Sequence, residues 1–289
     1  MKLNYLSANG RGLIMLNTGK FVGIYILFIV FLFLNIAGQG SPVQHTSLCK
    51  VQESELVVSR FRVLVLYENG GHHLAFSKAA IPFIDSLSKK YDFDIDYIQT
   101  VKFIDSAYLS NYDVFFQLDY PPYTWAKKGM DALQSFITKG KISWIGLHHA
   151  TLIGEFDGYP MWDWFYWFMG GIRFKNYIAS LSTGNVDVTL PEHPVMEGIS
   201  KEFRVSNEEW YTYDKLPDNY IEVLATVDES SYQPNSNVKM HGIHPVVWTN
   251  KNVKGRNLYI FMGHHPSLFY NENYKRLLRN AILWAGGRF

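Results

Sequence analysis

The sequence predicts an α/β fold, an open and mostly parallel sheet with helices on both faces. Three observations carry that expectation. Residues 61–67 (FRVLVLY), 113–118 (DVFFQL) and 142–147 (ISWIGL) are almost unbroken apolar runs, as strands covered on both faces are. The segments between them carry apolar residues at helical spacing, so strand and helix alternate. The chain of 289 residues is 47% hydrophobic and 18% charged, enough apolar material for a sizeable core.

In chain order, residues 61–67 open the fold as a strand. Phe76, Ala80, Phe83, Ile84 and Leu87 then line one helical face, with Pro82 as a local irregularity. Strands follow at 93–98 and 113–118. Ala126, Met130, Leu133 and Ile137 mark a second helix, which Gly140 closes at its C-terminal cap. The strand at 142–147 comes next, and 151–215 reads as an elaboration on the domain. Within it, the aromatic run MWDWFYWF at 161–168 is dense enough that most rings must be buried, with Trp162 or Trp164 left to line a site. Later strands are expected at 186–190, 221–226, 244–249 and 257–262. A final helix carries Tyr274, Leu277, Leu278, Ala281 and Trp284 on one face. One domain over 61–289 accounts for all of this, preceded by a polar linker at 41–60.

Residues 1–40 read differently. The 14-residue run at 21–34 (FVGIYILFIVFLFL) follows Lys20 and precedes small residues, the pattern of a secretory signal or an uncleaved membrane anchor. Either implies export, to the periplasm or to a membrane-tethered position. The head segment holds Lys2, Arg11 and Lys20 and no acid, so the remainder carries 24 basic against 26 acidic residues. No basic stripe remains to neutralise a phosphate backbone, which argues against nucleic acid as a partner. Cys49 is the one cysteine, so no internal disulfide can form.

Ligands of open parallel sheets bind beyond the carboxyl ends of the strands. The strand at 61–67 is followed by Glu68, Asn69, Gly70, Gly71, His72 and His73; the one at 113–118 by Asp119; the one at 142–147 by His148 and His149; the one at 257–262 by Gly263, His264 and His265. Six of the ten histidines thus fall just past three strands. From each pair, His73, His148 and His264 are taken as the inward members. Imidazoles so gathered can shuttle protons or hold a divalent metal such as Zn or Mn. Consecutive glycines at Gly70 and Gly71 would let backbone N–H groups approach a ligand. His193 and His244, each before a proline, read as structural.

Several runs, in order, resemble the ThuA-like (trehalose-utilisation) family: ENGGHH at 68–73, GLHHA at 146–150, EHPVMEGI at 192–199, EEWYTY at 208–213, HPVVW at 244–248 and the GHHPSLFYNENYKRLLRNAILWA stretch at 263–285. The resemblance implies a class I glutamine amidotransferase-like fold of flavodoxin-like architecture. Amidotransferases of that fold place a cysteine nucleophile in a Gly-x-Cys-x-Gly elbow. The matching stretch here is Gly146, Leu147, His148, His149 and Ala150, with His148 in the place of the thiol. Without a thiolate there, glutaminase chemistry is excluded.

The family pattern points to Glu209, rather than Glu208, as the functional acid. It implies sugar metabolism, with links to oxidised (3-keto) sugars. On this reading His148, Glu209 and His264 are catalytic, by acid–base chemistry that a metal on His73, His148 and His264 could assist. Asn69, Gly70, Gly71, Asp119, His149, Trp210, Tyr211 and His265 are the expected substrate contacts. The competing expectations are a non-catalytic carbohydrate-binding accessory protein and an interaction module of a surface assembly.

Overall fold

The structure is a computed structural model that describes residues 60–68, 71–155 and 158–289. The expected signal or anchor, the linker, Cys49, Asn69 and Gly70 lie outside the described residues. No helix among the described residues is long and apolar enough to cross a membrane.

The parallel half of the sheet follows from the apolar runs. Strands β1 (Arg62–Tyr67), β2 (Asp94–Ile98), β3 (Val114–Leu118) and β4 (Ser143–Leu147) alternate with helices α1 (Leu74–Tyr91), α2 (Ser106–Leu109) and α3 (Lys127–Lys139). Val63, Leu64, Val65 and Leu66 are all fully buried, as are Val114, Phe115 and Phe116. Helix α1 runs unbroken through Pro82 and buries Phe76, Ala80, Ile84 and Leu87. Helix α3 ends at Gly140, whose φ of +73° needs a residue without a Cβ.

After β4 the chain forms α4 (Asp163–Phe168), β5 (Phe174–Tyr177), β6 (Ser182–Val188), β7 (Glu202–Glu208), β8 (Tyr211–Tyr213), β9 (Ile221–Gln233), β10 (Pro245–Asn250), β11 (Asn257–Ile260) and α5 (Glu272–Ala285). The described residues make a nine-stranded sheet in the order β2-β1-β3-β4-β11-β10-β9-β6-β7, and a separate β5-β8 ribbon. Pairings from β2 through β11 are parallel, and those among β11, β10, β9, β6 and β7 are antiparallel. The chain steps from β1 outward to β2, then back across to β3. Right-handed crossovers in opposite directions put their helices on opposite faces and leave a crevice where the order reverses, beyond β1 and β3.

The antiparallel half is larger than expected from sequence. Strand β6 begins at Ser182 rather than 186, β7 was not anticipated, and β9 runs 13 residues rather than six. The aromatic run at 161–168 is core. Trp162, Phe165 and Phe168 are buried, and Trp164 stacks on Phe168 with ring centroids 4.9 Å apart. His193 accepts from the Val195 N–H and sets its ring against Trp284. Buried His244 lies between Glu229 and Tyr232, and the His241 N–H donates to Glu229.

Candidate active site

Three strand ends deliver the site. His73 stands at the start of α1 beyond β1, His148 begins the turn after β4, and His264 follows β11 across an extended bend. His148 has φ +34°, a strained conformation for a residue with a side chain, held at the elbow position by its surroundings. Gly263 makes close packing possible beside it. A Cβ there would stand 2.8 Å from the His148 Cβ and 2.9 Å from Asp119 Oδ1.

The imidazoles converge. Ring centroids of His73 lie 5.0 Å from His148, 4.6 Å from His264 and 3.8 Å from His149. His73 Nε2 is 2.9 Å from His264 Nδ1, and Glu209 Oε2 is 3.4 Å from both His148 Nε2 and His264 Nδ1. His73, His148, Glu209 and His264 each offer one ligand atom, and these atoms all lie within 4.8 Å of one another. Metal–nitrogen bonds near 2.1 Å in a tetrahedron separate donors by roughly 3.4 Å, so the set fits a divalent ion. Of the nitrogens turned away, that of His148 is hydrogen-bonded and that of His73 faces a carboxylate. His148 Nδ1–H donates to the Phe261 carbonyl at 3.1 Å, and His73 Nδ1 faces Glu68 Oε2 at 3.5 Å. Such outer partners orient ligating imidazoles.

The protonation pattern follows from burial and neighbours. Burial pushes His73 down to about 4 and His148 down to about 3, so both are neutral near pH 7. With Nδ1–H committed to Phe261, His148 Nε2 accepts from the Tyr211 hydroxyl at 2.7 Å. His264 is raised: burial opposes its charge, but Glu209 and Glu208 outweigh it. Glu209 is held below the usual carboxylate range: burial opposes its charge, but the His264 N–H beside it outweighs that cost. Glu68 is likewise lowered to about 2 by His149 and His73 against the pull of burial. Fully buried Glu208 is pushed up to about 8. The centre therefore contains an ionised Glu209 beside a His264 that favours its proton.

A cavity of about 510 Å³ adjoins these groups. Its lining combines the ionisable His72, His73, His149, Glu209 and His264 with Leu152, Phe174, Tyr177, Ala179, Leu181 and Tyr211.

Several expected contacts sit elsewhere. Trp210 is fully buried, stacked between Phe261 and Tyr232, with its indole N–H on the Ser182 carbonyl. Extended residues alternate sides: Glu209 and Tyr211 face the cavity, whereas Glu208 and Trp210 face the interior. Asp119 is fully buried with φ +52°, and burial pushes its carboxyl above the usual range; it lies beneath Gly263, closed off from a substrate. His265 turns to the Ser267 N–H and hydroxyl and caps the turn at Pro266–Tyr270. Gly71, at φ +75°, shapes the loop before His73. His149 reaches the cavity and pairs with Glu68 Oε1 at 3.0 Å.

Glu68 is the residue that sequence reasoning passed over. It occupies the same strand-end rim as the histidines, and that position was the available signal. The β5 wall carried none, because Phe174 and Tyr177 belong to a ribbon that the apolar pattern does not mark.

Comparison with known proteins agrees with this architecture. A family model described as ThuA, trehalose utilisation, matches residues 62–285. A solved ThuA-like protein from Bacteroides uniformis ATCC 8492 is 27% identical, with a TM-score of 0.71 over 81% of this chain and 94% of that one. A second, from Parabacteroides merdae ATCC 43184, is 14% identical at a TM-score of 0.57, covering 80% of this chain and 91% of that one. The cytoplasmic protein STM1381 from Salmonella typhimurium LT2 shares the fold at 10% identity and a TM-score of 0.54, over 78% of this chain and 100% of that one. No curated protein matches the chain in sequence.

Proposed function

The chain belongs to the ThuA family of carbohydrate utilisation, and from that premise we propose that it is an enzyme acting on a sugar or keto-sugar derived from a glycoside. The observation that carries this reading is the gathering of three imidazoles and Glu209 within 4.8 Å, with His73, Glu209 and His264 lining a cavity and His148 buried behind them. A keto group acidifies the neighbouring C–H. Ionised Glu209, on the cavity side, takes that proton as general base. The His264 imidazolium faces the developing enolate and stabilises its oxygen. Neutral His148 is fixed between the Phe261 carbonyl and the Tyr211 hydroxyl, and the His264 N–H beside Glu209 keeps that carboxylate in place. His73, His148 and His264 would hold a divalent cation such as Zn or Mn, which supplies Lewis acidity at the enolate in place of that imidazolium. A cysteine nucleophile has no part in this chemistry.

Turnover of a 3-keto-glucoside by the purified full-length chain tests the proposal. Glu209→Gln is expected to lower kcat by about 100-fold or more, with KM little changed. Full turnover in Glu209→Gln and His264→Ala would refute the assignment; sugar binding without turnover in the unaltered chain would make it an accessory binder. The apolar run at 21–34 behind Lys20 supports export, as a cleaved signal or a retained anchor. N-terminal sequencing of the mature protein separates the two.

A further inference from the structure

The cavity is divided in composition. Its ionisable lining, the floor, is His72, His73, His149, Glu209 and His264. Its apolar lining, the wall, is Leu152, Phe174, Tyr177, Ala179 and Leu181, which offer no charge and one hydroxyl. A sugar ring needs a dense set of polar partners for its hydroxyls, because a hydroxyl buried without a hydrogen bond is costly. The floor supplies those partners and the wall does not.

The wall is built on the β5-β8 ribbon. Tyr177 lies directly opposite Tyr211 in the antiparallel pairing, so their side chains share one face. Tyr211 reaches His148 from that face, and Tyr177, 45% exposed, extends the same aromatic surface outward. Phe174 sets its ring edge-on to Tyr211, with centroids 5.0 Å apart. Aromatic faces so arranged receive another flat apolar ring by stacking or edge contact. At about 510 Å³ the cavity is in the range of sites for small ligands of more than one ring.

We infer that the wall formed by Phe174, Tyr177 and Leu181 is a subsite for an aromatic aglycone, so that this chain takes aryl glycosides, or their keto forms, in preference to a disaccharide such as trehalose. The inference rests on the carbohydrate reading of the polar floor and adds the chemistry of the group attached to the sugar. The sugar sits over the histidines and Glu209; the aglycone points along the ribbon towards the cavity mouth.

Binding is measured by calorimetry on the full-length chain with four probes: 4-nitrophenyl β-glucoside, methyl β-glucoside, trehalose and 4-nitrophenol. The aryl glucoside is expected to bind about tenfold more tightly than the methyl glucoside or trehalose, the gain that one aromatic contact provides. Tyr177→Ala and Leu181→Asp should remove that gain and leave methyl glucoside affinity unchanged. Trehalose binding as tightly as the aryl glucoside, or an aryl preference that survives both substitutions, overturns the subsite. If 4-nitrophenol binds in a Tyr177-dependent way and none of the sugars does, the apolar subsite stands and the carbohydrate reading of the floor falls. Binding of none of the four probes overturns both.

Discussion

Among single residues, Glu208 makes the sharpest statement about pH. Its folded value, about 8, exceeds the ordinary value of 4.5 because burial penalises the charge. Between those limits the folded protein keeps a proton that the unfolded chain releases, so its contribution to stability falls as pH rises. His73 and His148 act in the opposite sense. Depressed to about 4 and about 3, they stay neutral while the unfolded chain takes up protons below 6.5, so their contribution is lost on acidification. Above pH 6.5 His73 and His148 no longer change, and the slope is set by Glu208 together with His264, whose raised value likewise makes its contribution fall as pH rises. Thermal melts of chelator-treated protein should therefore show stability declining from pH 6.5 to 8. Glu208→Gln, which keeps a neutral amide in the acid's place, should make that decline shallower. An unaltered slope in the variant would show that Glu208 is ionised in the folded state.

At the level of elements, helix α5 holds the site from below. Asn271 caps it, accepting from the Asn273 and Tyr274 N–H groups, and its own amide donates to the Arg204 carbonyl on β7. Tyr274 in turn donates to the Met262 carbonyl, just before Gly263 and His264. Asn271→Ala should cost about 1–2 kcal/mol in denaturant unfolding, and a loss below a few tenths would show that the cap is redundant. The strands beside this helix show what sequence reveals and what it hides. β1, β3 and β4 are covered on both faces, so their composition alone marks them. β7 (EFRVSNE) buries only alternate residues, and the charged ones mask it. The far end of β9 is similarly polar, which is why its length was underestimated. The histidine pairs were legible because strand ends are fixed by topology. The inward burial of Trp210 was not, because it depends on alternation through a stretch whose register the sequence leaves open. The wall of the cavity was hidden for a related reason, since β5 pairs only with β8 and carries three exposed residues of four.

For the whole molecule, a metal held by His73, His148 and His264 would link stability to ion concentration. An ion bound at 100 times its Kd adds about 2.7 kcal/mol to the folded state. Zn or Mn is thus expected to raise the Tm of chelator-treated protein, and His73→Ala or His148→Ala to abolish the rise. The rise should also shrink at acidic pH, where the proton favoured by His264 competes with the ion. Equal Tm with and without ions at every pH would remove the metal from the account and leave the acid–base pair.

The position of β11 has a consequence for how the protein is made. This strand is made after every other described strand of the sheet, yet it is inserted between β4 and β10 in the middle of it. While the ribosome is still short of Asn257, β4 and β10 present bare edges to each other, and His148 lacks the Phe261 carbonyl that fixes its tautomer. Zipping of the sheet therefore waits for contacts distant in the chain. A stop codon ahead of residue 257 should yield insoluble, protease-sensitive product rather than a smaller folded domain.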